Sequence, residues 1–342
     1  MDTSRRPTLK DVARAAGVSL ASASYAVNGS GSVGEATRAH ILQVAAGLGY
    51  RPNTSAKAMK TGRTGVLGLV VPDLTNPFFP GLAQAVLQAA RRQGYSVLIA
   101  DTGGAPEEER TAIRFLIDHG VDGLLWFPID DSNPRGRRPA PELDRIPVVV
   151  LDRNLPDHDV VLADYALGGR LAADHLIAAG HVDIGVISGP TAASSARDRA
   201  EGAVQTIQRS ARLAWHVENA FSLDLDPAVT AALDRRAVTA VIAGSDMIAI
   251  GAMRHLQTLG LSVPDDVSIV GFDDIPWAAL NTPPLTTIDM PIEAMIGSAI
   301  ETLVQRITDG PGVRSQTVFD VSLVERSSVR PVVRTEAGRN RP

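Results

Sequence analysis

Thr8 to Asn28 reads TLKDVARAAGVSLASASYAVN. The stretch divides into two short amphipathic helices about a small turn, the proportions of a helix-turn-helix that lays its second helix in a DNA major groove. Thr8 caps the first helix, with Asp11 three residues on as a short-armed capping box. Leu9, Val12, Ala13 and Ala16 share one face at helical spacing. In the turn, Gly17 tolerates left-handed dihedrals and Val18 offers an apolar plug. Ser19 caps the second helix, whose Ala23, Ala26 and Val27 pack inward while Leu20, Ala21, Ser22 and Tyr25 point away. A second reading stays open on these residues alone: two helices of some other small helical domain.

The chain around this stretch is long enough, at 342 residues, for two or three domains. With 44% hydrophobic and 21% charged residues it reads as a globular protein and not a disordered one. It has no cysteine, which excludes disulfides, thiolate catalysis and cysteine metal sites. The first residues lack the apolar core of a signal peptide and no apolar run approaches membrane-spanning length, so a cytoplasmic location is expected. The formal net charge of −5 hides an asymmetry. Residues 1–63 carry nine Lys or Arg against Asp2, Asp11 and Glu35, which leaves the remainder strongly acidic. A basic head on an acidic body suits phosphate attraction.

Past Asn28, a Gly-Ser loop leads to a third helix from Gly34-Glu35 to about Leu48. Its Ile41, Leu42, Val44, Ala45 and Leu48 are expected to close a three-helix head, and Gly49 ends it. Asn53 caps a short helix ending near Gly62, a hinge that folds against DNA or an ordinary linker. From Val66 the pattern becomes repeated strand and helix: VLGLVVP, YSVLIAD, DGLLWFP and IPVVVLD, then VDIGVIS, a short strand near Val217, VTAVIAG and VSIVGFDD, with helices between them. The fold class is therefore α/β with an all-α head: two doubly wound parallel sheets in series, with a cleft at the carboxyl ends of the strands. The Asp130–Pro141 loop reads as a surface excursion.

Over nearly its full length the chain resembles the lactose-repressor/galactose-repressor family of transcription factors. The resemblance rests on TLKDVARAAGVS, Ser22 and Ser24, Val27-Asn28, Thr37-Arg38, Gly49-Tyr50-Arg51-Pro52-Asn53, Asn76-Pro77-Phe78-Phe79, Val121-Asp122-Gly123-Leu124, Gly180-His181, Ile184-Gly185-Val186, and DVSIVGFDD before Pro284-Leu285-Thr286-Thr287-Ile288. All are collinear. It implies a helix-turn-helix head over 1–50, a hinge over 51–64 and a periplasmic-binding-protein-like body over 65–332; the tail over 333–342 reads from the sequence itself as disordered. Crossovers near Asp164, Met290 and Ser322 divide the body into a first lobe (65–163 and 291–321) and a second (164–290 and 322–332).

The resemblance also implies roles. Thr8, Ser19, Ser22, Ser24 and Asn28 contact phosphate or a helix end, which positions without reading sequence. Leu20, Ala21 and Tyr25 stand at base-reading positions, where Tyr25 replaces the family's usual arginine. No side chain on that face can contact guanine bidentately. Asn53, Ala56, Met59 and Lys60 belong to the hinge, with Met59 as a minor-groove wedge. For the effector, the implied residues are Phe78, Phe79, Asp152, Arg197, Phe221, Ser245 and Asp273, with Arg199 structural. Purine-responsive relatives carry an arginine where this chain has Ala193, which favours a sugar over a nucleobase.

The expected protein is thus a repressor and a homodimer. It binds a pseudo-palindromic double-stranded DNA operator under control of a small effector, with no catalytic residue, metal or cofactor. A nucleobase-responsive regulator is the alternative. A sugar-kinase-like enzyme with a helix-turn-helix is the enzymatic rival, prompted by Asp101-Thr102-Gly103-Gly104, which mimics a phosphate-binding turn. The seven histidines show no ligand spacing. No leucine heptad follows the last strand, so a dimer is expected over a tethered tetramer.

Overall fold

A computed structural model describes residues 7–29, 31–51, 62–131 and 141–332. It divides at Thr64 into two compact units.

The first unit holds helices α1 (Leu9–Ala15), α2 (Leu20–Asn28) and α3 (Glu35–Gly47). Asp11 Oδ2 accepts both the backbone N–H and the hydroxyl of Thr8, and Ser19 Oγ accepts Ser22 N–H at 3.0 Å, so both caps form. Gly17 turns the chain at φ +64°, and Val18 N–H closes back on Ala13 O at 3.0 Å. Val12, Ala13, Ala16, Ala23, Ala26, Ile41 and Ala45 make the core. Such small residues let three short helices approach closely. Two expected members of α3 are not in it: Leu42 and Leu48 are exposed. Leu42 follows Ile41 by one residue, about 100° around the helix, and Leu48 lies past the last turn. The hinge residues Asn53, Ala56, Met59 and Lys60 and the tail 333–342 lie outside the described residues.

The second unit contains two parallel sheets. In the first lobe, β1 (Val66–Val71), β2 (Ser96–Asp101), β3 (Gly123–Trp126), β4 (Val148–Leu151), β5 (Asp159–Ala163) and β11 (Gln316–Phe319) lie in the order β11-β5-β4-β3-β1-β2. Buried on both faces, their interior strands need continuous apolar runs, and β1 shows how. Leu67, Leu69 and Val71 join one core with α4 (Phe78–Arg92) and α11 (Ile292–Asp309). Val70 faces the other core, with Ile113 and Leu116 of α5 (Pro106–Asp118). Strand β5 is one the sequence pattern did not reveal. Asp159, at its start, accepts Arg306 from α11 at 2.8 and 2.9 Å, which ties it to an element far along the chain.

The second lobe has the order β7-β6-β8-β9, from β6 (Asp183–Ser188), β7 (Arg212–Glu218), β8 (Ala240–Ala243) and β9 (Ser268–Val270). Helices α6 (Tyr165–Ala178) and α7 (Ser194–Ser210) cover one face. Helices α8 (Pro227–Asp234) and α9 (Asp246–Thr258) cover the other. An antiparallel pair, β10 (Thr287–Asp289) with β12 (Ser322–Val324), carries the chain out to α11 and back. Both sheets reverse strand order beside their first strand, β1 and β6. The loops from the carboxyl ends of the strands therefore converge between the lobes.

Candidate functional site

In the head, Leu20 and Tyr25 are 45% and 46% exposed on α2, and Ala21 lies beside them. Ser19 and Ser22 hydroxyls share a hydrogen bond of 2.8 Å, and Asn28 Nδ2 donates to Ser24 O at 2.9 Å and to Ser24 Oγ at 3.2 Å. The arrangement is a short apolar and aromatic face flanked by hydroxyls and an amide, with no charged side chain on α2. It can touch thymine methyls and phosphates but cannot grip guanine.

Between the lobes, the loops bring together a buried charged cluster. Arg199 on α7 donates to Gly244 O at 2.8 Å and to Asp273 Oδ1 at 2.9 Å. Its guanidinium lies 4.0 Å from the Phe272 ring centroid, 4.9 Å from Tyr165 and 6.0 Å from Phe221. Tyr165 donates its hydroxyl to Asp152 Oδ1, and Arg153 pairs with Asp152 Oδ2. Ser195 links the two, accepting from Arg153 Nη1 at 2.7 Å and donating to Asp152 Oδ2 at 3.1 Å. Asp246 accepts Ile275 N–H at 2.9 Å and the Thr287 hydroxyl at 2.5 Å.

Backbone strain concentrates at the same place. Asp152, Asp273 and Asp274 adopt φ of +67°, +109° and +48°, and among the described non-glycine residues only Arg236 joins them at positive φ. Such conformations cost of order 1–3 kcal/mol each and cluster at ligand sites.

The electrostatics follow from packing three carboxylates around few cations. Burial, then the Asp152 charge, raises Asp273 to about 6 despite its bond to Arg199. Burial, then Asp273, holds Asp246 well above the usual carboxylate range. Tyr165 is likewise pushed far up by burial and by Asp152. Burial opposes the charge on Arg199, but Asp273 and Asp152 outweigh it and raise its pKa. Two donors are left over: the buried Nε atoms of Arg153 and Arg199 have no hydrogen-bond partner.

Of the residues expected at the effector site, the structure brings Asp152, Phe221 and Asp273 into this cluster. Phe78 and Phe79 meet edge to face at 5.1 Å, and Phe79 meets Phe127 at 5.6 Å, at the mouth of the first lobe. Ser245 is fully buried and caps α9 through Ile248 N–H at 3.3 Å. Arg197 is not brought in: its Nη1 donates to Thr191 O at 2.9 Å, and Arg199 holds the central position instead. The two arginines are two residues apart on one helix, about 200° around it, so only one can face the cleft. Arg153, Tyr165, Ser195 and Phe272 escaped sequence reading. Arg153 and Phe272 adjoin the strand-end carboxylates Asp152 and Asp273, Tyr165 follows Asp164 and Ser195 opens α7, and those positions are the signal that could have found them.

The phosphate-binding turn suggested by Asp101-Thr102-Gly103-Gly104 is filled by the chain itself. Gly103 N–H donates to Asp101 Oδ1 at 2.9 Å and Gly104 N–H to Pro72 O at 2.7 Å, so the donors a phosphate needs are taken. Among the described residues no group of histidines and carboxylates has metal-binding geometry, and no helix is long and apolar enough to cross a membrane.

Residues 8–53 match the lacI family of bacterial regulatory proteins, and residues 173–329 match a periplasmic binding protein-like domain. The chain is 36% identical to the HTH-type transcriptional regulator MalR of Streptomyces coelicolor, covering 94% of this chain and 96% of that protein. It is 34% identical to the HTH-type transcriptional repressor PurR of Vibrio campbellii, covering 94% and 98%. Among solved structures it is similar to the lac repressor dimer bound to operator and the anti-inducer ONPF, at 28% identity and TM-score 0.84, covering 95% of this chain and all of that one. A complex of the transcriptional regulator CelR with cellobiose matches at 30% identity and TM-score 0.70, covering 94% of this chain and all of the other.

Proposed function

This chain belongs to the lacI family of bacterial regulatory proteins, a family of DNA-binding transcriptional regulators, and from that premise we propose that it is a repressor gated by a sugar. The observation that carries the effector class is the mixed hydrogen-bonding set between the lobes. Unpartnered Nε donors on Arg153 and Arg199 lie among the carboxylates of Asp152 and Asp273, beside the Phe221 ring. Every hydroxyl of a polyol both donates and accepts, and the apolar face of a sugar ring stacks on an aromatic side chain. A nucleobase would favour an arginine at Ala193, which is buried and contributes none. The reading is supported by the cellobiose complex of the related regulator CelR.

Two heads of a homodimer would read half-sites of a pseudo-palindromic operator in the cytoplasm, because two-fold symmetry in the protein is met by two-fold symmetry in the DNA. Leu98 and Ile99 on the edge strand β2, with Trp277 and Leu280 on α10 (Pro276–Leu280), are exposed apolar residues suited to the second copy. The lac repressor dimer supports this assembly. Binding of effector changes the closure of the lobes and thereby the affinity for operator, with no turnover of the ligand.

The test pairs two measurements on the full chain. DNA selected from a randomised pool is expected to show a pseudo-palindrome. A thermal-shift panel of mono- and disaccharides against nucleobases is expected to give stabilisation by a sugar, which then alters operator affinity. Stabilisation by nucleobases alone would overturn the effector class. Hydrolysis of ATP by the purified chain would overturn the reading as a binding protein.

A further inference from the structure

Helix α7 begins without a cap of its own. Its N-cap residue is Ala193, at φ −88° and ψ 126°, the backbone a capping side chain needs, yet alanine has no acceptor to offer. The acceptor comes from the other lobe. Asp131 follows β3 in the first lobe; its Oδ1 accepts Ser194 N–H at 2.8 Å and its Oδ2 accepts the Ser194 hydroxyl. Asn154 N–H donates to the same Oδ2 at 3.3 Å, which ties the carboxylate to the loop after β4. Asp131, Ser194 and Ser195 are all buried, so water does not compete for these bonds.

The carriers of this contact are themselves held. Glu109, buried on α5, accepts Trp126 Nε1 at 3.2 Å and Ile129 N–H at 2.9 Å, which fixes the segment leading to Asp131. On the other side, the small residues at the start of α7 let a carboxylate reach the helix end, where the backbone donors and the helix dipole favour negative charge.

We propose that Asp131 is a cross-lobe helix cap that holds the two lobes together before any effector binds. Opening the lobes strips the first turn of α7 of a charge-assisted partner that its own N-cap residue cannot replace. The effector-free body is therefore biased toward closure by the chain itself. A ligand changes that bias only by its difference in affinity for the two arrangements. The inference deepens the effector-gated reading and rests on it only for the consequence at the DNA.

The absence of cysteine makes a direct test clean. Glu108→Cys and Ala228→Cys place one spin label in the exposed first turn of a helix in each lobe. Labelled full-length chain is diluted with unlabelled chain to suppress distances between protomers. Without effector, Asp131→Ala is expected to move the distance distribution to longer values. Adding Ala193→Ser to that variant gives α7 a local cap. It is expected to recover the melting temperature while the distances stay long, which a purely structural cap would not do. An unchanged distribution in Asp131→Ala, or distances restored by Ala193→Ser, overturns the proposal. If the alanine variant does not fold, Asp131→Asn keeps the shape and loses the charge. A smaller shift in the same direction is expected, and no shift overturns the proposal equally. Operator affinity measured on the same variants reports separately on gating: long distances with unaltered affinity keep the latch and remove the gating reading.

Discussion

Arg199 Nη1 lies 2.9 Å from Asp273 Oδ1, and each side chain is only 7% exposed. The pair joins α7 to the end of β9 and stands among Tyr165, Phe221 and Phe272, so it serves the frame of the second lobe and lies on the surface proposed to meet the effector.

Removing the arginine therefore has two effects. Arg199→Ala leaves Asp273 buried without its partner, a loss of about 3–5 kcal/mol in a denaturant titration. It is also expected to abolish the thermal stabilisation by a sugar that the proposed function calls for. Arg197→Ala, which loses a contact to Thr191 O at a half-exposed position, is expected to keep most of both. Equal losses in the two variants would dismiss Arg199 as the central group.

The Asp273 carboxyl imposes a pH dependence whose sign follows from its raised value. With a folded pKa of about 6 against 3.8 for the free group, the folded chain binds the extra proton between those values. Its contribution to stability is complete below about 3.8 and is lost as pH rises through 6. His181 acts in the opposite sense: burial lowers it to about 4 from 6.5, so its contribution is lost as pH falls through that window. The difference in melting temperature between parent and Asp273→Asn, followed from pH 4 to 7, isolates the first group. That difference should shift in favour of the parent as pH falls. A difference independent of pH would refute the raised pKa.

Helices α6 and α7 touch through glycine. A Cβ at Gly169 would lie 2.1 Å from the Arg199 carbonyl oxygen, and one at Gly202 would lie 2.2 Å from that of Ala166. Backbone cannot give way as a side chain does, so Gly169→Ala is expected to cost about 1–3 kcal/mol. It should also displace Arg199 and weaken effector binding. Gly297→Ala, where a Cβ meets nothing within 4 Å, is the control and should be near neutral in the same unfolding titration.

On the DNA side, Tyr25→Arg restores a guanidinium to the exposed face of α2. Where the contacted base pair is guanine-cytosine, the substitution should tighten binding by about 1–3 kcal/mol and sharpen selection at that position alone. Uniform tightening across all sequences would mean that the added charge meets phosphate instead, and would show as a steeper salt dependence.

Much of this protein is legible in its sequence because the signals are local. The caps at Thr8 and Ser19, the glycine turn at Gly17, the apolar runs of β1 and β3 and the period of the helices each depend on neighbours a few residues away. Strand β5 was hidden because its partners β4 and β11 lie on either side of it in space but β11 lies far along the chain, and because a buried aspartate opens it. The charged cluster between the lobes was half legible: strand-end carboxylates announce themselves, but the phase of α7 does not. That Arg199 and not Arg197 faces Asp273 is settled by how α7 packs within the second lobe, and that Asp131 caps a helix whose own N-cap is alanine is settled by how the two lobes meet. A side chain's local pattern says which face of its helix it occupies; what lies opposite that face is supplied by chain many tens of residues away.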